Sequence, residues 1–126
     1  MARSDVLSVH VDERASNRDL LGAPAFAAMK PGAVFINTSR GFVVSEQALA
    51  SHLHHHPQAR AILDVFEPEP PPASSALFGL ANATLTPHIA SATARAKEAM
   101  SWVVRDVWRV LEGESPEFEA AAPGPG

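Results

Sequence analysis

Cysteine is absent from the 126 residues, which excludes disulfides and thiolate metal sites. Positive charge is in short supply: ten Lys and Arg stand against fourteen Asp and Glu, for a net charge of −4. No basic block interrupts that balance, so a nucleic-acid partner is not expected. No apolar run approaches the length of a membrane span, and the opening residues do not read as a signal peptide. A membrane partner is therefore not expected, and a cytoplasmic location is the working expectation. No internal repeat is present. The length suits one small domain and not two, and with 46% hydrophobic residues a real core can form.

What is there centres on Ala33-Val34-Phe35-Ile36-Asn37-Thr38-Ser39-Arg40-Gly41. Four apolar residues in a row predict a short strand buried on both faces, as in a parallel sheet. The run stops in polar residues, an arginine and a glycine. Ligands of open parallel sheets bind at the carboxyl ends of the strands, so Arg40 is placed at that mouth. Its planar, permanently charged fork suits a carboxylate.

The rest of the chain supplies neighbours. Val6 to Val11 predicts a first strand with His10 near its end. Pro24 suits the first turn of a short helix running to Met29, with Lys30 at its negative pole and Pro31-Gly32 as the turn into the central strand. Ser45 is an N-cap candidate for a helix that Pro57 ends. The histidines at 52, 54, 55 and 56 invite a metal reading, but only 52 with 55 or 56 share a helical face, and no carboxylate or cysteine completes a set. They read as a solvated helix end, with no metal. Ala61 to Phe66 predicts a third strand. Glu67 to Pro72 is too rich in proline for helix or central strand and predicts a stiff loop holding Glu69. Leu77 to Leu80 reads as an apolar turn packing back, and Asn82 to His88 as a fourth short strand. Thr93 caps a long helix from Ala94 to Leu111, with an apolar arc from Ala96 to Leu111. Trp102 falls on its polar face. The pattern predicts an α/β fold with a parallel sheet, and the acidic, Ala- and Pro-rich residues 113–126 read as a disordered tail.

Four strand ends thus offer His10, Arg40, Asp64 with Glu69, and His88. An arginine, a carboxylate and a histidine suffice for acid–base work on a 2-oxo or 2-hydroxy acid. The arginine holds the substrate carboxylate. The histidine, with an unperturbed pKa near neutrality, exchanges the proton. The carboxylate fixes its tautomer and favours the protonated ring.

The motifs Ser4 to His10, Met29-Lys30-Pro31-Gly32-Ala33, Ile36-Asn37-Thr38-Ser39-Arg40-Gly41, Leu63-Asp64-Val65-Phe66-Glu67-Pro68-Glu69-Pro70 and Thr86-Pro87-His88-Ile89-Ala90 occur in order over roughly residues 4–112. In this the sequence resembles the D-isomer-specific 2-hydroxyacid dehydrogenases, and linked motifs are more specific than a lone one. The resemblance implies Arg40 as substrate clamp, with Glu69 and the acid–base His88 completing the catalytic set. It implies cofactor contacts from His10, Val11, Thr38, Ser39, Arg40, Asp64, His88, Ala90 and Ser91. The cofactor implied is NAD, with NADP not excluded, and the substrate a small 2-hydroxy or 2-oxo acid. Where relatives often read His-x-Pro-Leu, this chain has His10-Val11-Asp12-Glu13.

The family's glycine-rich G-x-G-x-x-G turn, which holds the pyrophosphate, has no counterpart here. The expectation is therefore the second half of a Rossmann-type doubly wound sheet with a long C-terminal helix. Residues 1–112 form a partial NAD(P)-binding domain that is homodimeric once the upstream half is supplied. The competing expectation is a non-catalytic remnant serving as a binding or dimerisation module. On the partial-domain reading, Trp102 is expected to be exposed and the chain not to be self-sufficient.

Overall fold

The computed structural model describes residues 1–119. The chain divides into two units, Met1–Ile89 and Ala90 onward. In the first, four strands form one sheet in the order β1 (Val6–Val9), β2 (Val34–Asn37), β3 (Arg60–Leu63), β4 (Ala83–Leu85). Every pair is parallel: Val6 faces Val34, Val34 faces Arg60, and Ala61 faces Ala83. Parallel pairing requires crossovers. Here they carry helices α1 (Ala23–Ala27) and α2 (Glu46–His55), while a loop joins β3 to β4. The predicted α/β class and sheet are thus present, with shorter strands. β1 stops at Val9, β3 at Leu63 and β4 at Leu85. Val65 is apolar because it is buried in the core, not because it is in the ladder.

Local chemistry sets the helices. Pro24 sits in the first turn of α1, where its missing N–H is harmless. Lys30 does not serve the helix pole as expected: its Nζ pairs with Asp5 at 2.7 Å. Ser45 caps α2 by accepting from the Ala48 N–H. Beyond its C-terminus, Asn82 Nδ2 donates to the Leu53 and Ala59 carbonyls at 3.0 Å.

The core lies on one face of the sheet. Val9, Phe35, Ala61 and Leu63 pack against Phe26 of α1 and Leu49, Ala50 and Leu53 of α2. Phe26 meets Phe35 edge to face at 5.3 Å, worth about 0.5–1.5 kcal/mol beyond buried area. Leu77 packs back into this core. Two expectations need correcting. β2 is not buried on both faces: Val34 and Ile36 are only half-buried, because both helices of this unit cover the other side. The histidines are not all solvated. His52 is 8% exposed and its ring lies 6.0 Å from that of Phe26, on the inner side of α2. Among the described residues no group of three His, Cys, Asp or Glu is placed to hold a metal.

The second unit contains α3 (Ala94–Ser101), capped by Thr93 through the Ala96 N–H, and α4 (Val103–Leu111). The expected long helix is present but interrupted at Trp102. Trp102 is 55% exposed, with the Arg105 guanidinium 4.6 Å over its ring. Val103, Val104, Val107, Trp108 and Leu111 are all exposed. Residues 114–118 turn back on α4: Asp106 accepts from the Glu117 and Phe118 N–H groups, and Arg109 Nε donates to the Ser115 carbonyl. Residues 120–126 of the expected tail lie outside the described residues.

Candidate active site

Four parallel strands deliver their carboxyl ends to one edge of the sheet, and each end is polar. After β2 the chain turns on Asn37, which is 1% exposed. Its Oδ1 accepts from the Ser39 N–H at 3.0 Å and the Ser39 hydroxyl at 2.9 Å, and its Nδ2 donates to the Arg40 carbonyl at 2.9 Å. A short polar side chain that bonds two residues ahead imitates a backbone turn. Arg40 is therefore presented by a turn with little freedom. Its Nε donates to Glu13 Oε2 at 3.0 Å and its Nη1 to the Ser39 carbonyl at 2.8 Å.

Gly41 explains the next step. A Cβ there would run into the main-chain carbonyl of Phe66, so only glycine lets the loop after β2 meet the loop after β3. From that contact point the Phe66 N–H donates to Glu69 Oε1 at 2.8 Å. The other oxygen of Glu69 bonds His88 Nδ1, also at 2.8 Å. The His88 bond first, and the Phe66 N–H second, hold the Glu69 carboxyl below its ordinary pKa. An ionised carboxylate only accepts, so Nδ1 carries the proton of that bond.

His88 has φ +51°, the left-handed region that non-glycine residues rarely occupy. Such backbone persists where the surroundings over-determine it, and it clusters at functional sites. Asp64 does the determining. It is buried at the end of β3. Its carbonyl accepts the His88 N–H at 2.9 Å, and its Oδ1 accepts from the Thr86 hydroxyl and the Ile89 N–H. The residue expected to meet a cofactor thus spends this carboxylate oxygen on shaping the turn that carries His88.

Arg40, Glu69 and His88 line one cleft of about 370 Å³, together with Glu13, Phe42 and Phe66. A second, apolar cleft of about 430 Å³ shares Glu69 and His88 and is walled by Phe66, Pro70, Phe78 and Leu85. The pair therefore stands between a polar and an apolar recess. Of the other expected site residues, His10 lies just past β1 with its Nε2 hydrogen-bonded to Ser8 Oγ at 2.7 Å. Val11 packs against the core and Thr38 is exposed. The Ser39 hydroxyl is committed to Asn37. Ala90 and Ser91 open the second unit and are exposed. Asp12 is matched by Arg14 at 2.7 Å and Asn17 at 2.9 Å.

Residues 1–90 match the family model for the D-isomer specific 2-hydroxyacid dehydrogenase, NAD binding domain. The chain belongs to this family. Among curated relatives, it is 42% identical over 106 residues to the (S)-sulfolactate dehydrogenase of Chromohalobacter salexigens, covering 84% of this chain and 34% of that protein. It is 40% identical over 117 residues to the glyoxylate reductase of Thermofilum pendens, covering 92% and 34%. The crystal structure of a D-isomer specific 2-hydroxyacid dehydrogenase from Xanthobacter autotrophicus Py2, in complex with NADPH and MES, superposes with a TM-score of 0.79. It is 37% identical, over 95% of this chain and 49% of that one. The chain therefore spans about a third of the length of these curated relatives. A Rossmann-like parallel sheet in an oxidoreductase family is the fold and class in hand.

Three groups that shape this cleft were not singled out from the sequence: Glu13, Asn37 and the main chain of Phe66. Asn37 carried a signal, since Asn-x-Ser before Arg-Gly is an Asx-turn pattern. Glu13 carried none, because its partner Arg40 lies 27 positions along the chain, and the Phe66 N–H carried none because it bonds Glu69 only through the fold of the proline-rich loop between them.

Proposed function

We propose that this chain carries the acid–base and substrate-clamping residues of an NAD(P)-dependent D-2-hydroxyacid dehydrogenase. Residues 1–112 are then part of its nucleotide-binding domain. The observation that carries the reading is the Glu69–His88 bond of 2.8 Å facing the same cleft as Arg40. Arg40 takes the substrate carboxylate through its remaining N–H groups. His88 Nε2 accepts the hydroxyl proton as the α-carbon gives up its hydride, and returns it to the carbonyl oxygen in the reverse direction. Glu69 fixes the tautomer and orientation of the ring through its bond to Nδ1.

The carboxyl edge suits the nicotinamide end of the cofactor. Thr38 is exposed there, and His10 and Asp64 stand just beyond strand ends. Bound there, a nicotinamide supplies the hydride acceptor or donor. The chain's seven glycines form no G-x-G-x-x-G turn, so these residues fit one end of the dinucleotide and not its pyrophosphate. The reading includes a small 2-hydroxy or 2-oxo acid as substrate, a cytoplasmic location and a homodimeric whole. No helix among the described residues is long and apolar enough to cross a membrane.

The exposed apolar side of α4, with Val104, Val107, Trp108 and Leu111, favours a second reading, a non-catalytic binding or dimerisation module. Calorimetric titration of the chain with NAD and NADP separates the two. Binding at about micromolar Kd supports the enzyme reading, and absence of binding supports the module.

A further inference from the structure

We infer that Glu13 is the positioning residue of the Arg40 guanidinium, holding it by Nε so that its Nη1–Nη2 end faces a ligand carboxylate. This rests on the clamp reading above and names the group that makes the clamp work. A guanidinium has five N–H donors in a fixed fork. Glu13 Oε2 takes the Nε proton at 3.0 Å and the Ser39 carbonyl takes one Nη1 proton at 2.8 Å. The second Nη1 proton and both Nη2 protons have no partner among the described residues, and two parallel N–H groups are what a carboxylate grips. The cleft they border is lined by Glu13, Arg40, Glu69 and His88.

Two independent ties are what this side chain requires. Arg40 is about half exposed, and an arginine free in solvent samples many rotamers. The Ser39 tie comes from the adjacent residue and fixes only one end. Glu13 reaches across from the loop after β1, 27 positions earlier, and fixes the plane of the fork. Its charge is the cost of the arrangement, because a second carboxylate must approach the same cation. Glu13 meets that cost by taking Nε, the donor farthest from the open end.

The test uses the 126-residue chain with 15N-labelled arginine and oxalate as the carboxylate probe, followed by NMR. In the unliganded wild type, the Arg40 Nε–H signal is expected to be shifted and slow to exchange. It should revert to that of a free arginine in Glu13→Ala. Glu13→Ala should weaken oxalate binding about fivefold, the upper end for an exposed pair. Glu13→Gln keeps an oxygen for Nε without the charge, so oxalate affinity should stay within about twofold of wild type or improve. Arg40→Lys should abolish binding while the fold is retained.

Glu13→Ala binding oxalate as well as or better than wild type would show a competitor instead of a holder, and the inference falls. A wild-type Nε–H that exchanges like a free arginine overturns it as well. Should the Nε–H be held in wild type but oxalate not bind at all, the clamp reading itself is wrong. Glu13 is then a structural tie only, which also ends the inference.

Discussion

At the scale of single residues, the Glu69–His88 pair makes the clearest statement. The bonds from His88 and from the Phe66 N–H both favour the charged carboxylate, so the folded Glu69 carboxyl titrates below its ordinary value of 4.5. The unfolded state therefore binds the proton first as pH falls. The pair's contribution to stability is complete above about pH 4.5 and is lost as pH drops through the lower folded value. A carbon-13 NMR titration of the Glu69 carboxyl should place its midpoint below the usual glutamate range, and His88→Ala should move it back up. A midpoint unchanged by His88→Ala would show that the bond does not hold in solution. Arg40, Glu69 and His88 were legible because each ends or follows an apolar run. Glu13 was not, since it sits in a polar loop and acts only through a residue 27 positions later. Asp64 was seen, but its bonds to Thr86 and Ile89 depend on a fold that places β3 beside β4.

At the scale of elements, α2 holds an untested liability. His52 is buried against Phe26, and its Nε2 has no hydrogen-bond partner among the described residues. Burial first, and the neighbouring His56 second, lower its pKa from 6.5. The unfolded chain thus takes up this proton at a higher pH than the folded one. Stability is full above about pH 6.5 and declines as pH falls below it, until the folded value is reached. Urea denaturation should show a lower midpoint at about pH 5.5 than at about pH 7.5, and His52→Leu should shrink the difference. Equal midpoints in the wild type would contradict the burial of this ring. The sequence misled here for a physical reason. Four histidines beside a proline look polar, yet 52 falls one turn before 56 and shares the inner side with Leu49 and Leu53. The helix itself, its Ser45 cap and its end were plain from periodicity and capping chemistry. The strand lengths were not, because Val65 and Phe66 are apolar for packing and not for pairing.

At the scale of the whole molecule, two apolar surfaces lie open in the first and second units. The uncovered sheet face exposes Val6 and Ile62, and α4 exposes Val104, Val107, Trp108 and Leu111. β1 and β4 each have an unpaired edge among the described residues, and unpaired edges invite pairing with another chain. Exposed apolar area is penalised by about 25 cal/mol per Å², so the expressed chain is expected to self-associate. Sedimentation velocity should show mass rising with concentration, and Val107→Asp should reduce it. A monodisperse monomer with strongly protected amides in residues 6–11 would refute this and favour a purposeful small module. Trp102 was expected to be exposed from its place on the polar side of the helix, and it is. The cover for α4 is a property of partners, so the chain's own residues could not name it.

The all-parallel ladder has a consequence in time as well as in space. Val6 waits for Val34, Val34 for Arg60, and Ala61 for Ala83. Each pairing closes a loop of about twenty residues or more, a cost met before any ladder bond rewards it. Among the described residues no hairpin is available as a nucleus. During synthesis β1 emerges from the ribosome long before its neighbour, at about 5–20 residues per second, and its interval as a bare strand is measured in seconds. Production of this protein should therefore depend on translation speed and chaperone supply more than a helical chain of equal length would.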